Sequence, residues 1–496
     1  MIAEIPNSAG ALLTHPGTQY SHALAQALAQ QHCLSRFATG LAWGQEWQRW
    51  LPASWQSRLV PGLSDRWLYR CWQPELRLLL TGRRRPLTPD DFFRRNHAFQ
   101  RALPQRLLQQ CGAVIGFDTS SWLLQQRAHA AGKPFVLDAS IAHPLAKEAV
   151  YQQLRQQFPA WATHSESKAP ALLALEQQEM EQADRIVVAS SFTRDTYLQH
   201  GVPSHKIVVN PYGTDLQFFD SKWKAPVPAA GPLRFVFMGS IGARKGVPWL
   251  CRVWPRLLAH YPQAQLTLAG YGQWPAAVPL PPQVQLAGAI APSQRAAFLR
   301  QHHVFVFPSY FEGFAQVIIE AMACGLPVIT TTATAAPDVM IPGEDGFILT
   351  PGDDEALLQA LLHFVQHPAE AERMGRLAAL HVQPYTWQAY GQRWAALLQS
   401  CNSFLYIPTP FSTSLHCTST SQRRAGSYRC GTVAREPAAA SSSIKSLVPT
   451  CSGICRCWKA TSIGFLKMKE TNGRALAATT IRKCWRPCGT SRPACW

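Results

Sequence analysis

Residues 308–330 read PSYFEGFAQVIIEAMACGLPVIT and contain two glutamates eight positions apart, Glu312 and Glu320. Glu320 has apolar neighbours on both sides in a run typical of a helix. An unpaired buried carboxylate costs several kcal/mol or takes up a proton, so it needs a partner, and hydroxyl groups of a ligand are one candidate. Glu312 precedes a glycine on the loop that enters this helix. Taken alone, Glu312 could instead be a solvated loop charge and Glu320 half of a structural ion pair.

Around this stretch, apolar runs of strand length alternate with amphipathic segments through residue 400. Strands are predicted at 10–15, 113–118, 134–140, 185–190, 206–213, 233–240, 264–270, 284–288, 304–309, 327–331 and 346–350. Helices are predicted near 19–32, over about 145–183, and from about 246. Continuous apolar strands alternating with helices predict an α/β fold with parallel sheets covered on both faces.

The chain of 496 residues is too long for one ordinary core. The segment KAPVPAAGP (224–232) is typical of a linker, and the strand pattern starts again after it. We therefore predict an N-terminal domain at 1–213, a linker at 214–232 and a second domain at 233–384. Ligands of open α/β sheets bind beyond the carboxyl ends of the strands, so the cleft between two such domains is where a site is expected.

Residues 401–496 differ from the rest of the chain. They hold nine of the 14 cysteines and a net charge of +12 out of the total of +18. Three interpretations compete: a basic disordered tail that binds an anionic surface, a zinc module, or a shifted reading frame or fusion artefact. The cysteine spacings do not match the usual zinc pairs, which argues against a zinc module. We favour the artefact, because the segment begins abruptly after a finished helix and its cysteine usage is unusual. The high net charge therefore does not indicate nucleic-acid binding, and no nucleic-acid partner is predicted.

Two adjacent cations follow the first strand of the second domain, in GSIGARKG (239–246). Arg244 and Lys245 lie on a glycine-containing turn before a helix, which suits an anionic ligand. A solvated surface pair is the alternative interpretation.

The strand ending at Ser309 leads to a helix expected to begin near Ala315. The N–H groups of Phe314, Ala315 and Gln316 would then face whatever lies above that strand, and an anion there would be stabilised by the helix dipole. Glu320 lies further along the same helix, where a carboxylate can accept hydrogen bonds from two vicinal hydroxyls. A ligand with a diphosphate on the helix end and a ribose along the helix would fit both features.

The E-x7-E pattern, followed by AMACGLPVITT, resembles the signature of family-four (group 1) retaining glycosyltransferases of the GT-B fold. Three further segments agree with it: ADRIVVASSFTRD (183–195), KIVVNPYGTD (206–215) and MGSIGARKGVPWL (238–250). The resemblance implies two Rossmann-like domains facing across a cleft. It also implies a nucleotide-sugar donor on the second domain, an acceptor on the first, and a helix at 385–400 that crosses back to the first.

By the same resemblance, Arg244 and Lys245 bind the donor diphosphate and Glu320 binds the ribose. Glu312 is expected at the transferred sugar, near the reacting carbon, and Gly313 shares its donor-binding loop. Ser240 departs from the family, because many relatives have an arginine there. It leaves one fewer cation for the leaving group.

In the first domain, His143 follows a strand end and is assigned a place near the donor sugar, with a surface loop histidine as the alternative. The turn His15-Pro16-Gly17-Thr18 stands where relatives often have a glycine pair near the diphosphate. Only Gly17 matches, so Gly17 is the predicted donor contact and His15 is a candidate for the acceptor.

Residues 40–110 combine six tryptophans with the runs Arg83-Arg84-Arg85 and Arg94-Arg95. This mixture suits an anionic membrane surface or a lipid-linked acceptor, and core tryptophans beside solvated arginines are an equal alternative. The N-terminus lacks the pattern of a signal peptide, and no apolar run reaches the length of a membrane span, so we expect a cytoplasmic protein.

The predicted function is a metal-independent retaining glycosyltransferase that needs no cofactor and acts on a polysaccharide or lipid-linked glycan. The alternatives are a GT-B sugar-nucleotide epimerase, a phosphorylase, and a catalytically inactive sugar-nucleotide-binding protein.

Overall fold

The computed structural model of the protein describes residues 10–18, 20–162, 170–223 and 231–404. Within these ranges the chain forms two parallel sheets, one of seven strands and one of six. The predicted tail lies outside the described residues except for 401–404, which end the last helix. No helix in the described ranges is long and apolar enough to cross a membrane.

The first sheet has the strand order β3-β2-β1-β4-β5-β6-β7. Its strands are β1 Ala11–His15, β2 Leu34–Thr39, β3 Leu68–Arg70, β4 Ala113–Phe117, β5 Phe135–Ala139, β6 Arg185–Val188 and β7 Ile207–Val209. Its helices are α1 Ser21–Gln30, α2 Trp72–Arg84, α3 Pro89–Ala102, α4 Gln105–Gln109, α5 Trp122–Ala130, α6 Pro144–Gln157, α7 Pro170–Gln182 and α8 Ser191–Gln199. The strand order reverses at β1, which pairs with β2 on one side and β4 on the other. This is the arrangement that opens a crevice at the strand ends.

The second sheet has the order β10-β9-β8-β11-β12-β13. Its strands are β8 Arg234–Met238, β9 Gln265–Ala269, β10 Val284–Gly288, β11 Val304–Phe307, β12 Val328–Thr331 and β13 Gly346–Leu349. Its helices are α9 Val247–Leu258, α10 Arg295–Arg300, α11 Gln316–Ala323, α12 Ala336–Val339, α13 Asp354–Gln366 and α14 Pro368–His381. Here the reversal lies between β8 and β11, so the loops after these two strands are neighbours.

Buried aromatic side chains dominate the core of the second domain. Phe237 and Phe307 stack with ring centroids 5.6 Å apart, and Trp249 and Trp254 of α9 are fully buried. Each such ring removes 150–250 Å² of surface from water, which fixes α9 against the sheet. The turn that precedes α9 is thereby held at the edge where β8 and β11 end.

The last helix, α15 Trp387–Phe404, packs on α1 of the first domain. A Cβ placed on Gly391 would lie 2.8 Å from the Cβ of Ala27, so the two helices pack too closely for a side chain at this position. Arg393 donates to the Asn210 side chain (2.6 Å) and to the Pro211 carbonyl (2.6 Å). The C-terminal segment is therefore attached to the first domain beside the point where the chain leaves it.

One predicted helix is divided. The region predicted as helical over about 145–183 contains α6, a short 3-10 turn at Pro159–Trp161, and α7, with residues 163–169 outside the described ranges. Pro159 has no N–H to donate and its ring obstructs the preceding turn, so α6 ends before it.

Candidate active site

The loops after β8 and β11 are bound to each other by their backbones. The N–H of Tyr310 donates to the Arg244 carbonyl at 2.8 Å, and the hydroxyl oxygen of Ser309 lies 3.0 Å from the same carbonyl oxygen. Gly246 has a φ of +74°, and a Cβ there would lie 1.8 Å from the Pro308 carbonyl oxygen. Only glycine allows this approach, and it brings the predicted phosphate turn against the loop that carries Glu312.

Glu312 forms ion pairs with both predicted phosphate-binding residues. Its Oε1 lies 2.8 Å from Nη1 of Arg244 and 2.6 Å from Nζ of Lys245, and it accepts a hydrogen bond from Ser309 at 2.7 Å. Glu312 is 6% exposed, so water screens these interactions little. We call Arg244, Lys245 and Glu312 the ion cluster.

Charges around the ion cluster set its protonation. Burial alone would raise the pKa of Glu312, but Arg244 and Lys245 outweigh it and lower the pKa to about 2. Burial also lowers the pKa of Lys245, although Glu312 opposes this shift. With Arg244 and Lys245 both protonated, the ion cluster holds two cations and one anion, a net charge of +1 that suits an anionic ligand.

The helix α11 begins one residue after its predicted onset. Ala315, at its N-cap, has a φ of +68°, which is uncommon for a residue with a side chain. Phe314 is buried against Tyr212, with ring centroids 5.2 Å apart. The Gln316 amide donates to the Gly213 carbonyl at 3.3 Å. Both side chains thus contact the end of the first domain, while their backbone forms the start of α11.

Glu320 is buried on α11, as its apolar neighbours predicted. It is 5% exposed, and its Oε2 has no hydrogen-bond partner within the described residues. Burial raises the pKa of this carboxyl to about 7, with a small opposing effect of Arg295. Glu320 lies about 6 Å along the helix from Gln316, given the rise of 1.5 Å per residue. A buried acceptor without a donor is expensive, and a ligand hydroxyl would satisfy it.

His143 caps the N-terminus of α6, where its Nδ1 accepts from the Leu145 N–H at 3.3 Å. Its ring stacks on His200 with centroids 4.2 Å apart and meets Tyr197 edge-on. Burial and the neighbouring His200 lower its pKa to about 4, so it is neutral at pH 7. Within the described residues these ring contacts all belong to the first domain, and the link from His143 to the ion cluster is indirect.

Gly17 lies on a tight turn after β1. Nδ1 of His15 is 2.7 Å from the Gly17 carbonyl oxygen, and burial lowers the His15 pKa to about 3. A Cβ on Gly17 would lie 2.8 Å from Nη1 of Arg95, which pairs with the buried Glu75 at 3.0 Å. Arg95 is a candidate that the sequence did not single out from its neighbour Arg94.

In the described ranges, no group of three or more His, Cys, Asp or Glu side chains is arranged to hold a metal ion. The groups that this site offers to a ligand are the ion cluster, the backbone at the start of α11 and the Glu320 carboxylate.

Comparison with known proteins gives a family match within the second domain. Residues 232–367 match the family described as Glycosyl transferases group 1. A GDP-mannose-dependent monoacylated alpha-(1-6)-phosphatidylinositol monomannoside mannosyltransferase of Corynebacterium glutamicum is 28% identical over 170 residues, which are 32% of this chain and 44% of that protein. Eight curated relatives, this one among them, are each matched over 20% to 58% of their own length.

Solved structures resemble the chain over a longer stretch. Sucrose-phosphate synthase from Thermosynechococcus elongatus matches with a TM-score of 0.56 and 20% identity, over 80% of this chain and all of that one. Anabaena HepE in complex with UDP-glucose matches with a TM-score of 0.54 and 15% identity, over 79% of this chain and 99% of that one. The predicted GT-B fold and the resemblance to group 1 glycosyltransferases are confirmed, the family match lying in the domain that carries the ion cluster and Glu320.

Proposed function

We propose that the protein is a retaining glycosyltransferase that moves a sugar from a nucleoside-diphosphate donor to a glycan or lipid-linked acceptor, without a metal ion. The observation that carries this proposal is the buried Glu320 carboxylate, whose Oε2 has no partner in the described residues, on the helix next to the ion cluster. Donor names among similar proteins support it: one relative is GDP-mannose-dependent and one structural neighbour holds UDP-glucose.

The donor would lie along the start of α11. Glu320 would accept hydrogen bonds from the ribose hydroxyls, and Arg244 and Lys245 would meet the diphosphate. Glu312, fixed by the same two cations, would contact the sugar near its anomeric carbon. Gly17 would approach the diphosphate from the first domain, and neutral His143 would lie on the sugar side.

The chemical step needs stabilisation of a departing dianion. The bond from the anomeric carbon to the diphosphate oxygen breaks, and its electron pair leaves with the nucleoside diphosphate. The acceptor hydroxyl oxygen bonds to the carbon, and its proton passes to the departing phosphate in a front-face displacement. Arg244, Lys245 and the N–H groups at the start of α11 would stabilise the charge on the leaving group as it develops.

Donor turnover by matched variants tests the site. Glu320→Ala and Lys245→Ala are each expected to lower the release of nucleoside diphosphate from the donor at least tenfold. Arg256→Ala, which removes an exposed arginine paired with Glu355 on the same domain, serves as the control and should keep wild-type turnover. Unchanged turnover in the first two variants would contradict the assignment.

Product analysis separates this function from its alternatives. A transferase releases nucleoside diphosphate in proportion to glycosylated acceptor. An epimerase returns an altered sugar nucleotide or free sugar without an acceptor, and a phosphorylase requires inorganic phosphate. An inactive binding protein would bind the donor and release nothing.

We further propose a peripheral contact between the first domain and an anionic membrane on its cytoplasmic side. The exposed face of α2 carries Trp72 and Leu80, which are 47% and 44% exposed, beside the exposed Arg83 and Arg84. In the same domain, Trp50 is 79% exposed. Apolar side chains among arginines suit a surface of anionic headgroups. The Corynebacterium relative is named a mannosyltransferase of a phosphatidylinositol monomannoside, which supports a lipid-linked acceptor here.

Vesicle flotation tests the membrane contact. The full chain should float with vesicles of phosphatidylglycerol and not with vesicles of phosphatidylcholine. The double variant Arg83→Gln/Arg84→Gln should lose most of this binding, whereas Arg256→Gln/Arg376→Gln, which removes the same charge elsewhere, should not. Equal loss in both variants would mean that net charge alone attracts the protein.

A further inference from the structure

Resting on the proposed function, we infer that Ser190 and Thr193 are positioning residues that hold the Glu312 loop from the first domain. Both hydroxyls donate to the carbonyl oxygen of Gly313, Ser190 at 2.6 Å and Thr193 at 2.8 Å. Gly313 immediately follows Glu312. The first domain therefore hydrogen-bonds to the peptide that follows Glu312, the residue proposed to contact the transferred sugar.

The close approach of the two domains at this point requires glycine. A Cβ on Gly313 would lie 2.2 Å from the Ser140 carbonyl oxygen and 3.0 Å from the Cα of Ile141. These are backbone atoms after β5, which cannot move aside as a flexible side chain can. Glycine at this position thus serves the contact between the loop and the first domain.

The whole first turn of α8 faces the second domain. Between Ser190 and Thr193, the Ser191 N–H donates to Oδ2 of Asp338 at 2.8 Å, and Phe192 meets Phe311 edge-on with centroids 5.6 Å apart. The loop is thereby held on both sides of Glu312, through Phe311 before it and Gly313 after it.

The same turn is joined to His143. The His143 N–H donates to the Thr196 hydroxyl at 3.0 Å, and this hydroxyl donates to the Thr193 carbonyl at 2.7 Å. Ser190, Thr193 and Thr196 are all buried. The start of α8 thus connects the segments of Glu312 and His143, the two residues proposed to contact the sugar. Its buried hydroxyl groups fix the separation of these two segments.

These hydroxyls have a positioning role in the reaction. They contact the carbonyl oxygen of Gly313 and not the side chains or N–H groups proposed to bind the donor, so they act through the placement of Glu312. Loss of a positioning contact misplaces reacting groups, which lowers kcat more than it weakens binding.

Thr193 offers a matched pair of variants. Thr193→Val keeps the shape and removes the hydroxyl, and Thr193→Ser keeps the hydroxyl and removes the methyl group. Thr14→Val is the control, because the Thr14 hydroxyl is also buried and donates to a carbonyl, that of Ile115, within one domain. All variants are made in the full chain, and thermal unfolding shows whether each remains folded.

Thr193→Val is expected to lower kcat about tenfold while the Kd of UDP or GDP stays within twofold of wild type. Thr193→Ser should keep at least half of the wild-type kcat, and Thr14→Val should lower only the melting temperature. The inference is overturned if the valine and serine variants lose kcat equally, or if Thr193→Val behaves like Thr14→Val.

Hydrogen exchange gives a readout that does not depend on turnover. Backbone amides of residues 311–316 should exchange at least fivefold faster in Thr193→Val than in wild type, and at the wild-type rate in Thr14→Val. If the wild-type protein shows no turnover, the proposed function is refuted. The exchange rates would still show whether the Thr193 hydroxyl holds the loop. Unchanged exchange in Thr193→Val would show that the Thr193 hydroxyl does not hold the loop, which would refute the inference.

Discussion

The Nζ of Lys245 lies 2.6 Å from Oε1 of Glu312, the same oxygen that Nη1 of Arg244 approaches at 2.8 Å. The two cations proposed for the diphosphate are therefore already held by the carboxylate proposed for the sugar. A diphosphate that binds here competes with Glu312 for them. Its binding would leave Glu312 less tightly paired and available to the sugar.

Replacing Glu312 separates its two effects. Glu312→Gln removes the competing anion, so UDP or GDP should bind threefold to tenfold more tightly at low salt, whereas sugar transfer should fall at least a hundredfold. Calorimetric titration and a transfer assay measure the two quantities. Glu355→Gln, which removes an exposed carboxylate paired with Arg256, is the control. Weaker nucleotide binding in Glu312→Gln would show that Glu312 organises the cations for the diphosphate.

Replacing Glu320 should remove discrimination between ribose and deoxyribose. A hydrogen bond to a charged group contributes about 1.5–3 kcal/mol, so the wild type should bind a nucleoside diphosphate at least tenfold more tightly than its 2′-deoxy analogue. In Glu320→Gln, the weaker neutral acceptor should reduce this ratio to threefold or less. An unchanged ratio would show that the ribose does not bind to Glu320.

The raised pKa of Glu320 makes stability depend on pH. Burial raises this pKa from its ordinary value to about 7, so the folded state holds the proton more tightly than the unfolded state. The ligand-free protein therefore loses stability as pH rises from about 4.5 to 7, by about 3 kcal/mol for a shift of this size. Glu320→Gln lacks this titration.

Urea unfolding of wild type and Glu320→Gln at pH 4 and pH 8 measures the effect. Between pH 4 and pH 8, the wild type should lose about 2–3 kcal/mol of unfolding free energy relative to the variant. A difference independent of pH would mean that Glu320 has the same pKa in the folded and unfolded protein, so that burial does not raise it.

Adding one methyl group to Gly313 should obstruct the approach of the two domains. In Gly313→Ala, the Cβ would lie 2.2 Å from the Ser140 carbonyl oxygen, so the loop must retreat. We expect kcat to fall at least a hundredfold, with the Kd of the nucleoside diphosphate within threefold of wild type. Gly82→Ala on α2 is the control, because its Cβ would meet only the Leu87 side chain at 3.4 Å. Wild-type kcat in Gly313→Ala would show that this approach is not needed for transfer.

The sequence predicted the parts of the fold that have a clear pattern. Buried strands such as β4 and β11 are continuous apolar runs, and their positions follow from that alone. Strand β2, LSRFAT, includes serine and arginine, and the three-residue β3 is too short for any period to show. Neither strand was predicted, because the pairing of β2 with β1 and of β3 with β2 defines them rather than a local pattern.

The candidate site could be predicted only in part from the sequence, because some of its contacts join residues that are far apart in the chain. Burial of Glu320 follows from its apolar neighbours on α11, which are local in sequence. The ion pairs of Glu312 with Arg244 and Lys245 join residues 68 and 67 positions apart, and pairing of β8 with β11 creates them. The segment 183–195 agrees with the family, but nothing in it singled out the hydroxyls of Ser190 and Thr193, since small polar residues at a helix start are common for capping alone.

Binding of nucleoside diphosphates to the full chain tests the central claim most directly. Calorimetric titration of wild type and Lys245→Ala with UDP, GDP and their monophosphates would compare the same base with and without the second phosphate. We predict that wild type binds one diphosphate at least tenfold more tightly than its monophosphate, and that Lys245→Ala reduces this preference to threefold or less. No binding of either diphosphate, or a preference that survives in Lys245→Ala, would contradict the claim that the ion cluster receives the donor diphosphate.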